Sequence, residues 1–163
     1  MADAGNGGEA AKSGGGQASL GVIAQYVKDL SFENPGAPNS LRPRQKPPTI
    51  NISIGVQSTK MNDTDHEVEL KLDARAVDGE TVLFVIELVY AGAFRILNVS
   101  ANDMQQVTMI ECPRLLFPFA RQVLADAARN GGFPPLLLDP VDFIALYRQR
   151  IAAEQASQQP RVV

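Results

Sequence analysis

Strict alternation over two short stretches is the feature that most limits what this chain can fold into. Ile50, Ile52, Ile54 and Val56 alternate with Asn51, Ser53, Gly55 and Gln57; Val68, Leu70, Leu72, Ala74 and Ala76 alternate with Glu67, Glu69, Lys71, Asp73 and Arg75. Successive side chains on a strand point to opposite faces, so both stretches read as antiparallel strands with one apolar and one wet face. Asp78-Gly79 then predicts a tight primed hairpin turn, with positive φ at both central positions. The next stretch, Thr81–Tyr90 (TVLFVIELVY), is apolar on both faces apart from Glu87. Such a strand needs cover on both sides. An earlier strand spans Leu20–Phe32, with Leu20, Val22, Ala24, Tyr26, Leu30 and Phe32 assigned to one face.

The last third changes period. Pro113 suits a first helical turn, Leu115–Ala128 carries apolar residues at helical spacing, and Asn130-Gly131-Gly132 stops the run. Pro118 inside it predicts a kink or a broken first turn. A second helix is expected with Asp139 as N-cap and Pro140 at its first position, running through Phe143, Ile144, Leu146, Tyr147 and Ile151. Strands followed by helices give an α+β fold: a four-stranded antiparallel meander, then two helices. Residues 1–18 read as a Gly-rich flexible tail, 19–156 as the folded domain and 157–163 as a second tail.

Several functions are argued against. The net charge of −3 lacks the basic face expected of a nucleic-acid binder. Cys112 is the single cysteine, so no internal disulfide can form, and it reads as a buried thiol. No apolar run reaches the roughly 20 residues of a membrane span, and the N-terminus lacks a secretory apolar segment, so a cytoplasmic location is expected. AAKSGGG has the wrong spacing for a phosphate-binding loop. His66, the lone histidine, sits in an acidic stretch (NDTDHE) and reads as a solvated turn residue rather than a metal ligand. No nucleophile elbow, dinucleotide fingerprint or two-histidine helix occurs, so no catalytic residue is assigned.

Two features point to binding. The first helix is apolar round much of its circumference, through Leu115, Leu116, Phe117, Phe119, Val123 and Leu124. This surplus predicts a symmetric oligomer with some apolar surface left open; a compact monomer covered by its own loops is the alternative. Residues 62–80 also hold seven carboxylates against Lys71 and Arg75. Copies of that face in an oligomer would add into a field that steers a basic partner.

Three stretches, in this order, resemble the bacterial export chaperone family SecB: Tyr26–Pro38 (YVKDLSFENPGAP), Leu115–Arg121 (LLFPFAR) and Gly132–Tyr147 (GFPPLLLDPVDFIALY). The resemblance implies a homotetramer, built as a dimer of dimers with helices between two eight-stranded sheets. It also implies ATP-independent holding of unfolded precursor proteins, without a cofactor, and their delivery to the translocation motor SecA. It places a client groove among Phe32, Pro35, Phe94, Leu115, Phe117, Phe119, Phe133, Leu138 and Phe143, and SecA docking on Asp29, Glu33 and Glu80, with Asp78 beside them. A SecB-like protein dedicated to one client, such as a toxin–antitoxin pair, is the alternative. Relatives often carry a tryptophan in the loop after the first strand. Here Gln45 stands at about that place, in a basic, proline-rich segment with Arg42, Arg44 and Lys46. The C-terminal tail also lacks the acidic stretch found in some relatives.

Overall fold

The computed structural model describes residues 15–158. The expected tails therefore lie outside the described residues over 1–14 and 159–163. Four strands form one antiparallel sheet: β1 (Ser19–Glu33), β2 (Thr49–Lys60), β3 (Asp65–Asp78) and β4 (Thr81–Leu97). Their order is β1-β4-β3-β2, which corrects the expected meander. Only β2, β3 and β4 follow one another as neighbours. β1 lies beyond β4, and residues 34–48 carry the chain across to the far edge. The physical reason is β4: apolar on both sides, it takes the inner position between β1 and β3, while the more polar β2 becomes an edge.

Two further strand readings change. Bulges between Val22 and Ala24 and between Val27 and Asp29 shift the register of β1. Each bulge flips the side-chain alternation, so Leu20, Val22, Leu30 and Phe32 share one face while Ala24 and Tyr26 turn to the other. The hairpin after β3 turns on Gly79-Glu80, because Asp78 still pairs with Thr81. Gly79 has φ 62°, and no other turn residue has a positive φ. A turn that needs positive φ only at its first central position places glycine there.

The helical layer covers one face of the sheet. It begins earlier than the sequence suggested, with α1 (Ala101–Gln106), a π-type turn (Val107–Glu111) and α2 (Cys112–Asn130). Ser100 caps α1: its hydroxyl accepts from the Asp103 amide at 3.2 Å and donates to the Asp103 carboxylate at 2.7 Å. This Ser-x-x-Asp box was a readable signal for the missed helix. The irregularity expected at Pro118 lies instead just before Pro113. Pro113 has no amide to give the Met109 carbonyl, and the wide turn absorbs the lost bond. α2 runs unbroken through Pro118. Its buried stripe repeats every four residues: Cys112, Leu116, Ala120, Leu124 and Ala128. Gly92 on β4 makes the close approach possible, since a Cβ there would lie 2.7 Å from the Phe94 ring and 2.9 Å from Leu116.

The final helix, α3, spans Phe143–Gln158, so Ser157 is helical and not part of a tail. Its cap is Asp142, not Asp139: the Ala145 amide donates to Asp142 Oδ1 at 3.0 Å. The chain stays non-helical through Val141, which lines a cleft against β2. Only two residues separate the two aspartates, and the later one is where that packing releases the chain into a helix.

Candidate functional site

A series of clefts runs from the segment before edge strand β2 along the face of that strand that looks toward the helical layer. The first, about 490 Å³, lies between the segment Leu41–Pro48 and Leu83, Phe133 and Pro134. The second, about 340 Å³, is lined by Ile50, Ile52 and Ile54 opposite Leu136, Leu138 and Val141. The third, about 360 Å³, continues from Ile54 and Val56 to Met109, Leu146 and Tyr147. Arg150 on α3 donates to the Val56 carbonyl at 2.7 Å, tying the helix to the edge strand. The walls are incompletely closed: Ile52 is 37% and Leu137 is 81% exposed. Shape, greasy walls and a nearby strand edge allow the trough to take an extended chain without reading its sequence.

The residues expected to form a groove divide into three groups. Phe133 and Leu138 line the clefts. Half-buried Phe32 supports Phe133 through a stack on Phe84, with ring centroids 5.9 Å and 4.7 Å apart in turn. Gly131 sits beneath this stack, where a Cβ would come within 2.0 Å of the Phe32 ring. Pro35 is exposed beyond the end of β1, and Leu115 and Phe119 are 43% and 52% exposed on α2. Phe94, Phe117 and Phe143 require correction. All three are core residues, at most 5% exposed, with Phe117 and Phe143 meeting edge to face at 6.0 Å. Their positions on the faces of β4, α2 and α3 that meet inside the molecule decide this. Ile50, Ile52, Ile54, Leu137 and Val141 were missed as lining residues. Three isoleucines at alternate positions were legible, but not that their strand would be an edge.

The opposite sheet face is polar and largely self-neutralised. Lys28, at the second bulge of β1, reaches across β4 to Glu67 at 2.5 Å and to Glu69; the Tyr26 hydroxyl donates to Glu67 at 2.5 Å. These long side chains span Ala91 and Ala93, which explains how β4 is covered on its second side without another layer. Lys28 and Tyr26 hold Glu67 below its ordinary pKa, and Glu67 in turn raises that of Tyr26. Arg44 pairs with Asp78 at 3.0 Å. The least compensated carboxylates lie elsewhere: Asp29 and Glu33 alternate on β1 with Ser31, whose neighbours across the sheet are Glu87 and then Asp73. Like charges directly opposite repel, and one oxygen of Asp73 is buried without a hydrogen-bond partner. Glu80 is exposed in the hairpin.

His66 also requires correction. It lies in β3, not in a turn, and is buried on the face shared by Val68 and Leu70. The strand starts at Asp65 because Arg95 clamps that carboxylate with two bonds, at 2.8 and 2.9 Å. Arg95, then Asn62, holds the Asp65 carboxyl well below the ordinary 3.8. A depressed folded-state pKa stabilises fully above the unfolded value and is lost as pH falls below it. Asp65→Asn is therefore expected to lower Tm by a few degrees at neutral pH, with the gap to the parent shrinking as the scan moves below pH 3.8. A gap that is constant with pH would show that the carboxylate charge is irrelevant. Cys112 is buried as expected, its thiol pushed up to about 12 chiefly by burial.

A four-stranded antiparallel sheet with helices on one face is shared with known proteins. The family model described as preprotein translocase subunit SecB matches residues 14–154. The chain belongs to the SecB family. The protein-export protein SecB of Brucella anthropi is 58% identical over 138 residues, 85% of each chain, and that of Brucella ovis is 57% identical over the same share. The fold is also that of a Mycobacterium tuberculosis SecB-like chaperone solved with a peptide from an antitoxin. That structure matches with a TM-score of 0.64 at 13% identity, over 75% of this chain and 90% of the other. SecB proteins are protein-export chaperones, and membership identifies this chain as one. No helix among the described residues is long and apolar enough to cross a membrane.

Proposed function

We propose that this SecB-family protein holds secretory precursors unfolded in the cytoplasm, without ATP, and delivers them to SecA. The observation that carries the reading is the apolar trough along β2, open enough to admit an extended chain. A folded globular protein has no use for such a surface unless something else covers it. The functional experiment is aggregation suppression: near-stoichiometric protein should keep a denatured precursor soluble with no nucleotide present.

The working form in this reading is a dimer of dimers. Edge strand β1 exposes Val22, Ile23, Val27 and Leu30, each 44–51% exposed, and α2 exposes Leu115 and Phe119. An unpaired edge with apolar side chains favours pairing with a second copy, and the α2 surface favours burial between pairs. Light scattering should give four times the chain mass; a monodisperse monomer would defeat this arrangement.

SecA docking is assigned to Asp29, Glu33 and Glu80, on the polar side of the sheet and its hairpin. Glu87 and Asp73 are added as neighbours of the β1 pair. Asp78 contributes less, because Arg44 already engages it. Asp29→Lys with Glu80→Lys is expected to weaken SecA binding about tenfold or more at low salt, while aggregation suppression is retained. Unchanged SecA affinity in the folded double variant would remove these residues from the docking face. A chaperone dedicated to one client remains the second reading, prompted by the antitoxin peptide in the Mycobacterium structure. Capture of many unrelated precursors decides for general export.

A further inference from the structure

The last turn of α2 ends on a pair of residues with a chemistry of its own. Asn130 is exposed and is followed by Gly131, which has no side chain to hinder its backbone nitrogen. In an Asn-Gly pair that nitrogen can attack the asparagine side chain. A bond forms from Gly131 N to Asn130 Cγ, the bond from Cγ to Nδ2 breaks, and ammonia leaves with the proton that Gly131 gives up. Water then opens the cyclic imide at either carbonyl, leaving an aspartate or an isoaspartate. The sum is water in and ammonia out, with no cofactor and no enzyme.

In the folded chain the attacking nitrogen is held back. The Gly131 amide donates to the Ala127 carbonyl at 3.0 Å, and the next two amides donate to Arg129 at 3.0 Å and Ala128 at 3.1 Å. Attack requires Gly131 N to leave Ala127 and turn toward its neighbour's side chain, so the last turn must open first. Aromatic packing resists that opening. A Cβ on Gly131 would come within 2.0 Å of the Phe32 ring, and Phe32 in turn meets Phe84, which meets Phe133. The Arg129–Asp126 pair is exposed on both sides and adds little. We infer that Asn130 is a deamidation site whose reaction is gated by the Phe32–Phe84–Phe133 cluster over Gly131. Its product places a new carboxylate at the C-terminal end of α2, where the helix dipole disfavours negative charge. The isoaspartyl form also lengthens the backbone just before Gly131, which then no longer fits beneath Phe32.

The test incubates the full chain at neutral pH and follows residue 130 by peptide mapping, which separates it from Asn6, the other Asn-Gly of the chain. A blocked synthetic peptide of residues 125–136 gives the ungated rate. Conversion at Asn130 should be about tenfold to a hundredfold slower in the protein than in the peptide. Hydrogen exchange of the Gly131 amide should be slowed by the same factor within about threefold, because one opening serves both reactions. Phe32→Leu keeps an apolar side chain but loses the ring, and should speed conversion about threefold or more while the denaturant midpoint shows a folded protein. Conversion as fast as in the peptide overturns the inference. So does the absence of product over a hundredfold longer time, roughly the limit set by local opening, or a slowing that folded Phe32→Leu leaves unchanged. Should Phe32→Leu fail to fold, the two factors in the parent decide, and a mismatch of about tenfold overturns the gate.

Discussion

Phe94→Ala is expected to cost about 3–5 kcal/mol of folding stability, a large part of the roughly 5–15 kcal/mol typical of a domain. The ring is fully buried, pressed beside Gly92 and Leu116 where α2 crosses β4. Helix and sheet can approach closely there only because residue 92 has no side chain, so neither backbone is free to fill the void left by a missing ring. The loss is read by denaturant unfolding at one fixed protein concentration, which keeps any assembly contribution constant. The same measurement decides the residue's role. A groove residue facing solvent would lose client binding with stability almost intact; a core residue loses stability first. A stable Phe94→Ala protein with weakened client holding would return Phe94 to the groove and refute its assignment to the core.

Ile52→Glu with Leu137→Glu should do the reverse. Both side chains are substantially exposed, on opposite walls of the middle cleft, so the charges cost little in the unliganded fold. A client chain lying between them would lose two apolar contacts and bury two carboxylates without partners. Burying a large apolar side chain is worth about 1.5–3 kcal/mol. With burial shared between two partly covered contacts, the expected loss is about thirtyfold in affinity for an unfolded precursor. Tm should move by no more than a few degrees. Undiminished precursor binding would mean that clients use another surface, and the exposed residues of α2 would then be the next to test.

These two variants separate what pattern could and could not reveal. Phe94 and Ile52 look alike in the sequence: each is a large apolar residue within a strand. Their fates differ because β4 is an inner strand under α2, whereas β2 is an edge under a loop and a cleft. Alternation reports which face a residue takes, not what lies opposite that face. The same limit explains β1, whose bulges reverse the alternation with neither a glycine nor a proline at the inserted residues Ile23 and Lys28. It also explains His66, assigned to a turn by its acidic neighbours and placed in a strand by the Asp65–Arg95 clamp, a contact spanning thirty residues.

The sequence alone determined the local choices: four strands, the helical period of the last third, a buried thiol and a family resemblance carried by three ordered stretches. Backbone sterics and side-chain periodicity act over a few residues, so those choices are written where they are read. Strand order, the second-side cover of β4 by Lys28 and Tyr26, and the trough along β2 were decided only in three dimensions. Each depends on residues far apart in the chain competing to bury apolar surface and satisfy charge, and that competition is settled only when the whole sheet and its helical layer pack together.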